Sequence, residues 1–291
     1  MAQPEFAHGL AGSAKRAGAT ALDQWLGFRT DLIAMQAEYS NEHWQIAAAA
    51  VTGFSHEADD IPCQDSFAAA TIDDWVVAVV SDGAGSAAFA EKGSQALVKT
   101  VVLALRELLR LRGLQPTIDE FRHALVAAIE HTRNSLSEKG ELKNFAATLV
   151  GFAARASGGM FFHLGDGTAL AASSQDWTTG PISQPENGEY ANETYFFTAD
   201  DWSGHLRLLP VTGEYDTWIA MSDGCMPFAM TKGNAGLYQP FIAPLAEHFI
   251  AVPEADAISA LSETLKRPEI RAITGDDKTF VWAHRRSGPH K

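Results

Sequence analysis

Apolar residues in this chain follow two patterns, continuous runs and recurrence every three or four positions, and each pattern predicts one type of element. Continuous apolar runs typical of buried strands occur at WQIAAAAVTGFS, which begins at residue 44, and at WVVAVVS, which runs into an Asp-Gly pair. Over residues 87–112 apolar side chains recur every three or four positions, which predicts a helix, and residues 118–136 predict a second one. Residues 17–38 also have helical spacing.

The remaining chain alternates quickly between short apolar segments and turn-forming residues. These segments predict strands at FAATLVGFAAR, GMFFHLGDG, TALAAS, ETYFFTAD, HLRLLP, DTWIAMSDG and KTFVWAHRR, and helices over residues 240–250 and 254–266. Turn-rich loops are predicted at HEADDIPCQDSF and over residues 180–193. Strands and helices fall in separate blocks without a strand–helix–strand alternation, so the fold class is α+β. We expect an N-terminal arm and helix over residues 1–43 and one domain over residues 44–291.

Composition and charge exclude several classes of partner. The 291 residues carry 36 acidic and 22 basic side chains, a net charge of −14, which argues against nucleic acid and against an anionic membrane surface. No apolar run approaches the roughly 18 residues that span a bilayer, and the N-terminus does not resemble a secretory signal. Two cysteines cannot form a disulfide framework, so we expect reduced thiols in a cytoplasmic protein.

Aspartates at the ends of the predicted strands are the most informative chemical feature. Asp82, Asp166 and Asp223 each follow a buried strand and precede a glycine, Asp276 precedes the last strand, and Asp65 lies between the first two strands. Carboxylates that converge repel one another unless a cation lies between them, and Mg²⁺ and Mn²⁺ prefer oxygen ligands. A pair of such ions also binds a phosphoryl oxygen, so an acidic protein can take a phosphoester substrate.

Other interpretations of these motifs remain open at the sequence level. Asp-Gly is a common turn pair, and any single one can be only a turn. The segment Asp82-Gly83-Ala84-Gly85 resembles a dinucleotide fingerprint, but the acidic residue expected about 20 positions later falls inside a helix. A nucleophile elbow and a Cys-x-x-Cys pair are both missing. His56 lies in the first acidic loop, where it could bond a phosphate oxygen, donate a proton or have no role.

Taken in order, these motifs resemble the metal-dependent Ser/Thr protein phosphatases of type 2C (the PPM family) in a bacterial form. The resemblance covers residues 44–283. The matching segments are IPCQDSF, VVAVVSDGAGS, FAATLVGFAA, FFHLGDGTALA, WIAMSDGCM and GDDKTFVWA. It implies a central antiparallel β-sandwich flanked by pairs of helices, with metals in a cleft at one end of the sandwich.

The resemblance also implies the site and the reaction. Two Mn²⁺ or Mg²⁺ ions, with a third and weaker one at Asp166, are expected at Asp65, Asp82, the Gly83 carbonyl, Asp166, Asp223 and Asp276. A hydroxide that bridges the metals would hydrolyse phospho-Ser or phospho-Thr in a protein from a Ser/Thr kinase pathway. His56 is the candidate catalytic residue that would protonate the leaving oxygen, a role that a metal-bound water could also fill.

Departures from the family pattern keep a second class of function open. Asp60 stands where the family has its phosphate-binding arginine, and Ala84 stands where many eukaryotic members have a general-acid histidine. Gln64 replaces the glutamate before Asp65, Asp277 takes the place of the closing asparagine, and Gly-Asp-Ser-Arg has become Gly-Asp-Gly-Thr. The alternatives are therefore a degenerate phosphatase-like module that binds phosphoprotein or metal without turnover, and, from the dinucleotide fingerprint, an oxidoreductase.

Overall fold

Two antiparallel sheets pack face to face in the computed structural model, which describes residues 40–113, 116–186 and 194–286. Within these ranges the first sheet has the strand order β1-β10-β9-β6-β7 and the second has the order β2-β3-β4-β5-β8. The strands are β1 (Trp44–Val51), β2 (Ser66–Ile72), β3 (Trp75–Ser81), β4 (Leu149–Arg155), β5 (Gly158–Leu164), β6 (Thr168–Ala172), β7 (Ile182–Ser183), β8 (Arg207–Thr212), β9 (Thr217–Met221) and β10 (Lys278–Arg285).

Helices cover the outer face of each sheet. They are α1 (Phe54–Ala58), α2 (Ala90–Arg112), α3 (Ile118–Ser137), α4 (Trp202–His205), α5 (Met226–Ala229), α6 (Gln239–Ala251), α7 (Glu254–Leu265) and α8 (Pro268–Arg271), with short 3₁₀ turns at Leu142–Phe145, Asp223–Cys225 and Lys232–Asn234. The pair α2–α3 packs on the second sheet, and α6–α7 pack on the first. No helix in the described ranges has the length and apolar character needed to cross a bilayer.

Burial on both faces explains why the central strands are apolar without alternation. In β3, Val76, Ala78 and Val80 face the other sheet, whereas Val77 and Val79 face the helices. All seven residues of this strand are buried. A strand between a second sheet and a helix layer has no solvent face, so the polar positions of a half-exposed strand are lost. The predicted α+β sandwich with flanking helix pairs is confirmed.

Several predicted elements differ from the structure for local reasons. The segment Ser66–Ile72, which was predicted to begin in a loop, is strand β2, and a two-residue turn at Asp73 and Asp74 joins it to β3. Its alanines have low strand propensity, so pairing with β3 decides the conformation. ETYFFTAD is not a strand; its described part has only turns and an isolated bridge position. His56 lies in helix α1 rather than in a loop.

Strand register places the predicted aspartates at one end of the sandwich. Ser66 at the start of β2 pairs with Ser81 at the end of β3, so Asp65 and Asp82 leave the second sheet at the same edge. In the first sheet, Met221 at the end of β9 pairs with Phe280 near the start of β10, so Asp223 and Asp276 also leave together. The prediction for residues 1–43 lies almost wholly outside the described residues, so that domain boundary stays a prediction.

Candidate metal centre

Three of the predicted carboxylates meet at this end of the sandwich. Asp82, Asp166 and Asp223 each offer an oxygen, and these oxygens all lie within 4.8 Å of one another. Each of the three side chains is partly buried. Oxygen ligands at this spacing suit a hard divalent cation such as Mg²⁺ or Mn²⁺.

The backbone of Asp82 is fixed by the neighbouring strand rather than by its own turn. Thr148 donates its N–H to the Asp82 carbonyl at 2.8 Å, and the Asp82 N–H donates to the Thr148 hydroxyl oxygen at 3.0 Å. Ser81 also donates its hydroxyl to the Thr148 carbonyl at 2.6 Å. Thr148 therefore holds the end of β3 against the start of β4, a role that the sequence signalled only through the matching of its motif.

Asp65 is the most buried of the predicted ligands. Its Oδ2 accepts a hydrogen bond from the Ser222 hydroxyl at 2.6 Å, and Ser222 Oγ in turn accepts from the Thr279 N–H at 2.9 Å. Its Oδ1 is buried and has no hydrogen-bond partner among the described residues, and Asp166 Oδ1 is in the same condition. A buried carboxylate oxygen without a donor is costly, and a cation at this position would satisfy it.

Burial and mutual repulsion raise the pKa values of the clustered carboxyls. Burial, with the charge of Asp277 as a smaller cause, raises the pKa of Asp65 to about 7. Burial and the charges of Asp166 and Asp276 raise the pKa of Asp223 to about 6. The pKa of Asp82 lies well above its usual range because the group is buried beside Asp65 and Asp223. A bound cation reverses this effect, since it favours the ionised form.

Two glycines allow the segments of the site to pack closely. A Cβ on Gly224 would collide with the Asp277 carbonyl oxygen and lie 3.2 Å from the Asp276 Cβ. A Cβ on Gly83 would lie 2.6 Å from the Gln64 carbonyl oxygen. Glycine at these positions therefore brings Asp223 beside Asp276, and Asp82 beside the segment that carries Asp65. Asp276 is the exposed member of the predicted set.

One cation near the site was missed by the sequence reading. Lys278, at the start of β10, is 1% exposed, and its Nζ donates to the Asp276 carbonyl at 2.7 Å. In the sequence, Lys278 is a single lysine at the start of an apolar strand. Only its position directly after two aspartates indicates that it contacts the site. Its ammonium group holds the turn that presents Asp276.

His56 does not belong to the group of three carboxylates but is linked to the site through Asp277. Its Nδ1 lies 3.0 Å from Asp277 Oδ2, and the His56 side chain is 18% exposed. The Gln64 N–H donates to the same Asp277 oxygen at 2.6 Å. His56 is thereby tied to the residue that precedes Asp65. The two thiols are free: Cys225 is buried and Cys63 is half-buried.

Fold and site together define a class of protein: a sandwich of two antiparallel sheets that carries a candidate divalent-cation centre at the end of its strands. The sequence model of protein phosphatase 2C matches residues 52–266. The chain belongs to this family of metal-dependent serine/threonine phosphatases, which confirms the resemblance and the enzyme class. The dinucleotide interpretation is not supported.

Known relatives agree with this membership. Serine/threonine-protein phosphatase 3 of Escherichia coli (strain K12) is 27% identical over 252 residues, which cover 82% of this chain and 98% of the relative. A serine-threonine phosphatase 2C from Toxoplasma gondii has a TM-score of 0.57 at 14% identity, covering 85% of this chain and 96% of its own. RsbX, solved in complex with magnesium, has a TM-score of 0.50 at 15% identity, covering 85% and 98%.

Proposed function

We propose that this phosphatase hydrolyses phosphoserine and phosphothreonine in proteins through two hard divalent cations, Mn²⁺ or Mg²⁺. The observation that carries the proposal is the approach of three carboxylate oxygens, those of Asp82, Asp166 and Asp223, to within 4.8 Å of one another. Carboxylates this close and partly buried repel one another unless positive charge lies among them. The solved relative RsbX contains magnesium, which supports a cation of this hardness.

The proposed ligands fall into two groups: those that would bind the two catalytic cations, and Asp166, which would bind a third cation more weakly. Asp82 would be the ligand common to both cations, as the family pattern implies, and its carboxylate oxygen lies within 4.8 Å of those of Asp166 and Asp223. Asp166, whose Oδ2 already accepts a hydrogen bond from Thr194 at 2.6 Å, is the ligand of a third and weaker cation. The full proposed set is Asp65, Asp82, the Gly83 carbonyl, Asp166, Asp223 and Asp276.

The chemistry of the proposed pair is hydrolysis without a covalent enzyme intermediate. When bound, two such ions would lower the pKa of a coordinated water and so supply the attacking hydroxide, and they would polarise the phosphoryl oxygens. The chain contributes by holding its carboxylates in fixed positions: Ser222 orients Asp65, and Thr148 orients the backbone of Asp82. These hydrogen bonds leave the unpaired oxygen of Asp65 free to act as a ligand, either directly or through a water molecule.

The leaving group of a phosphoserine needs a proton, and we assign its transfer to His56. A seryl oxygen leaves as a strongly basic alkoxide, so a positioned acid accelerates its departure. Ala84 cannot perform this role, although it stands where many eukaryotic members of the family have a histidine. His56 is the histidine tied to the site by a carboxylate, at 3.0 Å from Asp277.

The proposed substrates are phosphoproteins produced by a Ser/Thr kinase pathway in the cytoplasm. The name of the Escherichia coli relative, a serine/threonine-protein phosphatase, supports the substrate class. The net charge of −14 supports a reaction in which cations of the site, rather than basic side chains, hold the phosphate. Two free thiols are typical of a reducing compartment.

Phosphate release from a phosphoserine peptide tests the proposed function. Purified protein should release phosphate with Mn²⁺ or Mg²⁺ and lose this activity in EDTA. Asp82→Asn should lower the rate by more than about 100-fold, since disturbing even the outer partners of a metal ligand costs about 10–100-fold. Asp119→Asn, the same change at an exposed position at the start of α3, should match the wild type.

Two results would contradict the proposal. Undiminished turnover of Asp82→Asn would remove this site from catalysis. Binding of the phosphopeptide by the wild type without phosphate release, at any concentration of Mn²⁺ or Mg²⁺, would identify a phosphatase-like binding module instead.

A further inference from the structure

Asp277, which the sequence marks only as a departure from the family pattern, is a buried carboxylate surrounded by hydrogen-bond partners. It is 4% exposed, and its side chain makes three hydrogen-bond contacts. Oδ1 accepts from the Gly53 N–H at 2.6 Å, and Oδ2 accepts from the Gln64 N–H at 2.6 Å and lies 3.0 Å from His56 Nδ1. The group therefore joins two segments: the start of helix α1, through Gly53 and His56, and the residue before Asp65.

The geometry requires an acceptor at both backbone contacts. Both backbone partners are N–H donors, and an ionised carboxylate offers only acceptors. An asparagine at this position would direct its NH₂ group at one of the two backbone N–H groups, whichever way the amide is turned. The carboxylate is thus specifically suited to this network, which explains why Asp277 stands where the family pattern has asparagine.

The same geometry decides which nitrogen of His56 carries its proton. Because Asp277 Oδ2 accepts hydrogen bonds, His56 Nδ1 must be the protonated nitrogen, and Nε2 is the ring nitrogen that Asp277 does not engage. The His56 carbonyl also accepts the Ile61 N–H at 2.9 Å, which closes the loop that leads toward Asp65. The ring of His56 is therefore held by Asp277, and its backbone by Ile61 in the loop that leads to Asp65.

We propose that Asp277 is a positioning residue, which fixes His56 with Nδ1 bound to its carboxylate and Nε2 available to the leaving oxygen of the substrate. This inference rests on the proposed phosphatase function. In the proton-transfer step His56 reacts as the imidazolium, in which both ring nitrogens carry protons and Nδ1–H stays on Asp277. The Nε2–H bond breaks and its proton passes to the seryl oxygen as the phosphorus–oxygen bond breaks, which leaves the neutral Nδ1–H form. Nε2 then recovers a proton from solvent. The candidate acid His56 and the departure from the family pattern at Asp277 thus form one unit.

The tautomer of His56 tests the positioning directly and without metal. We expect ¹⁵N NMR of the metal-free protein to report Nδ1 as the protonated nitrogen of neutral His56. In Asp277→Asn the amide can present a donor to Nδ1, so the Nε2–H form should become populated. Asp216→Asn is the matched control, because it makes the same change in another carboxylate beside a histidine: Asp216 lies 4.0 Å from His284 Nδ1. Asp216 precedes β9, at the end of that strand opposite to Asp223, so its substitution should leave the tautomer of His56 unchanged. A wild-type His56 protonated at Nε2 alone would overturn the proposal.

Substrates with different leaving groups separate positioning from mere structural support. 4-Nitrophenolate leaves without a proton, whereas a seryl alkoxide needs one. We expect His56→Ala to lower kcat on a phosphoserine peptide by about 100-fold, within the usual contribution of a general acid, and to change 4-nitrophenyl phosphate hydrolysis little. Asp277→Asn should show the same selectivity, at about 10-fold or more, and should add little further loss in the His56→Ala background.

Each other pattern contradicts the inference. Equal losses on both substrates would show that Asp277 only supports the segment before Asp65. Fully additive losses in the double variant would show that Asp277 does not act through His56. If the wild type hydrolyses neither substrate, the proposed function fails on its own, and the tautomer measurement still decides whether Asp277 fixes His56.

Discussion

The carboxylates of the candidate metal centre hold an arrangement that is unfavourable for the metal-free chain. Asp65 and Asp223 have pKa values raised to about 7 and about 6, against 3.8 for an unperturbed aspartate. Burial is the first cause in both cases, and neighbouring acids add to it. A group whose folded-state pKa is raised contributes stability below its unfolded pKa and loses that contribution as the pH rises through the folded value. The site therefore weakens the metal-free fold between about pH 4 and pH 7.

Bound metal should restore the stability that the clustered carboxylates cost, and the gain should be larger at high pH than at low pH. Cation binding requires ionised carboxylates, so at pH 5 it must displace protons from Asp65 and Asp223, whereas at pH 8 it need not. We predict that saturating Mn²⁺ raises Tm by more at pH 8 than at pH 5. Thermal melts with Mn²⁺ and with EDTA at each pH measure the difference, in which the effects of surface carboxylates cancel. An equal or larger gain at pH 5 would contradict the assignment.

At the residue scale, the sequence predicts the candidate ligands better than the residues that hold those ligands in place by hydrogen bonds. Asp82, Asp166 and Asp223 stand out because each ends an apolar strand and precedes a glycine. Asp277 and Ser222 have no such signal, since their roles depend on hydrogen bonds to residues more than 150 positions away along the chain. Contacts of that range follow from strand register, which the local pattern does not contain.

At the scale of elements, the tight approach of two turns determines where Asp223 and Asp276 lie. Gly224 follows β9 and packs directly on the backbone of Asp277. We predict that Gly224→Ala lowers Mn²⁺ affinity and destabilises the fold by about 1–3 kcal/mol, the usual cost of overpacking. Calorimetric titration with Mn²⁺ and chemical denaturation measure the two effects.

Gly204→Ala provides the matched control for this prediction. A Cβ at Gly204 has no atom within 4 Å, so the substitution should change neither Mn²⁺ affinity nor stability by a comparable amount. A Gly224→Ala variant with the Mn²⁺ affinity of the wild type would show that the spacing of these turns does not set the site.

Elements with strong periodicity were predicted well, and those formed by pairing were not. Helix α2 begins at Ala90 and ends at Arg112, close to the predicted range of 87–112, because its apolar face is continuous. Strand β2 is rich in alanine and adopts its conformation through the register Ser66↔Ser81 to Ile72↔Trp75 with β3. Segment 193–200 contains aromatic residues typical of strands, yet Phe197 instead fills the core beneath α2 and α3.

At the scale of the whole molecule, the antiparallel sandwich accounts for the convergence of residues far apart in the chain. Chain reversals return every second strand end to the same edge, so motifs spread from Asp65 to Asp276 reach one place. The order of blocks predicted an α+β domain, and the sandwich with its helix pairs was expected from the resemblance to the type 2C phosphatases. The relative position of the two sheets, which brings Asp223 to Asp82, could not be read from any local pattern because it depends on the packing of the sandwich interior.

The central claim is that these carboxylates surround two hard divalent cations. Crystals soaked in Mn²⁺ and measured at the manganese absorption edge test it most directly. We predict two strong anomalous peaks between Asp82 and Asp223, and their loss in Asp82→Asn crystals treated in the same way. An anomalous map of the wild type with no peak among Asp82, Asp223 and Asp276 would contradict the account.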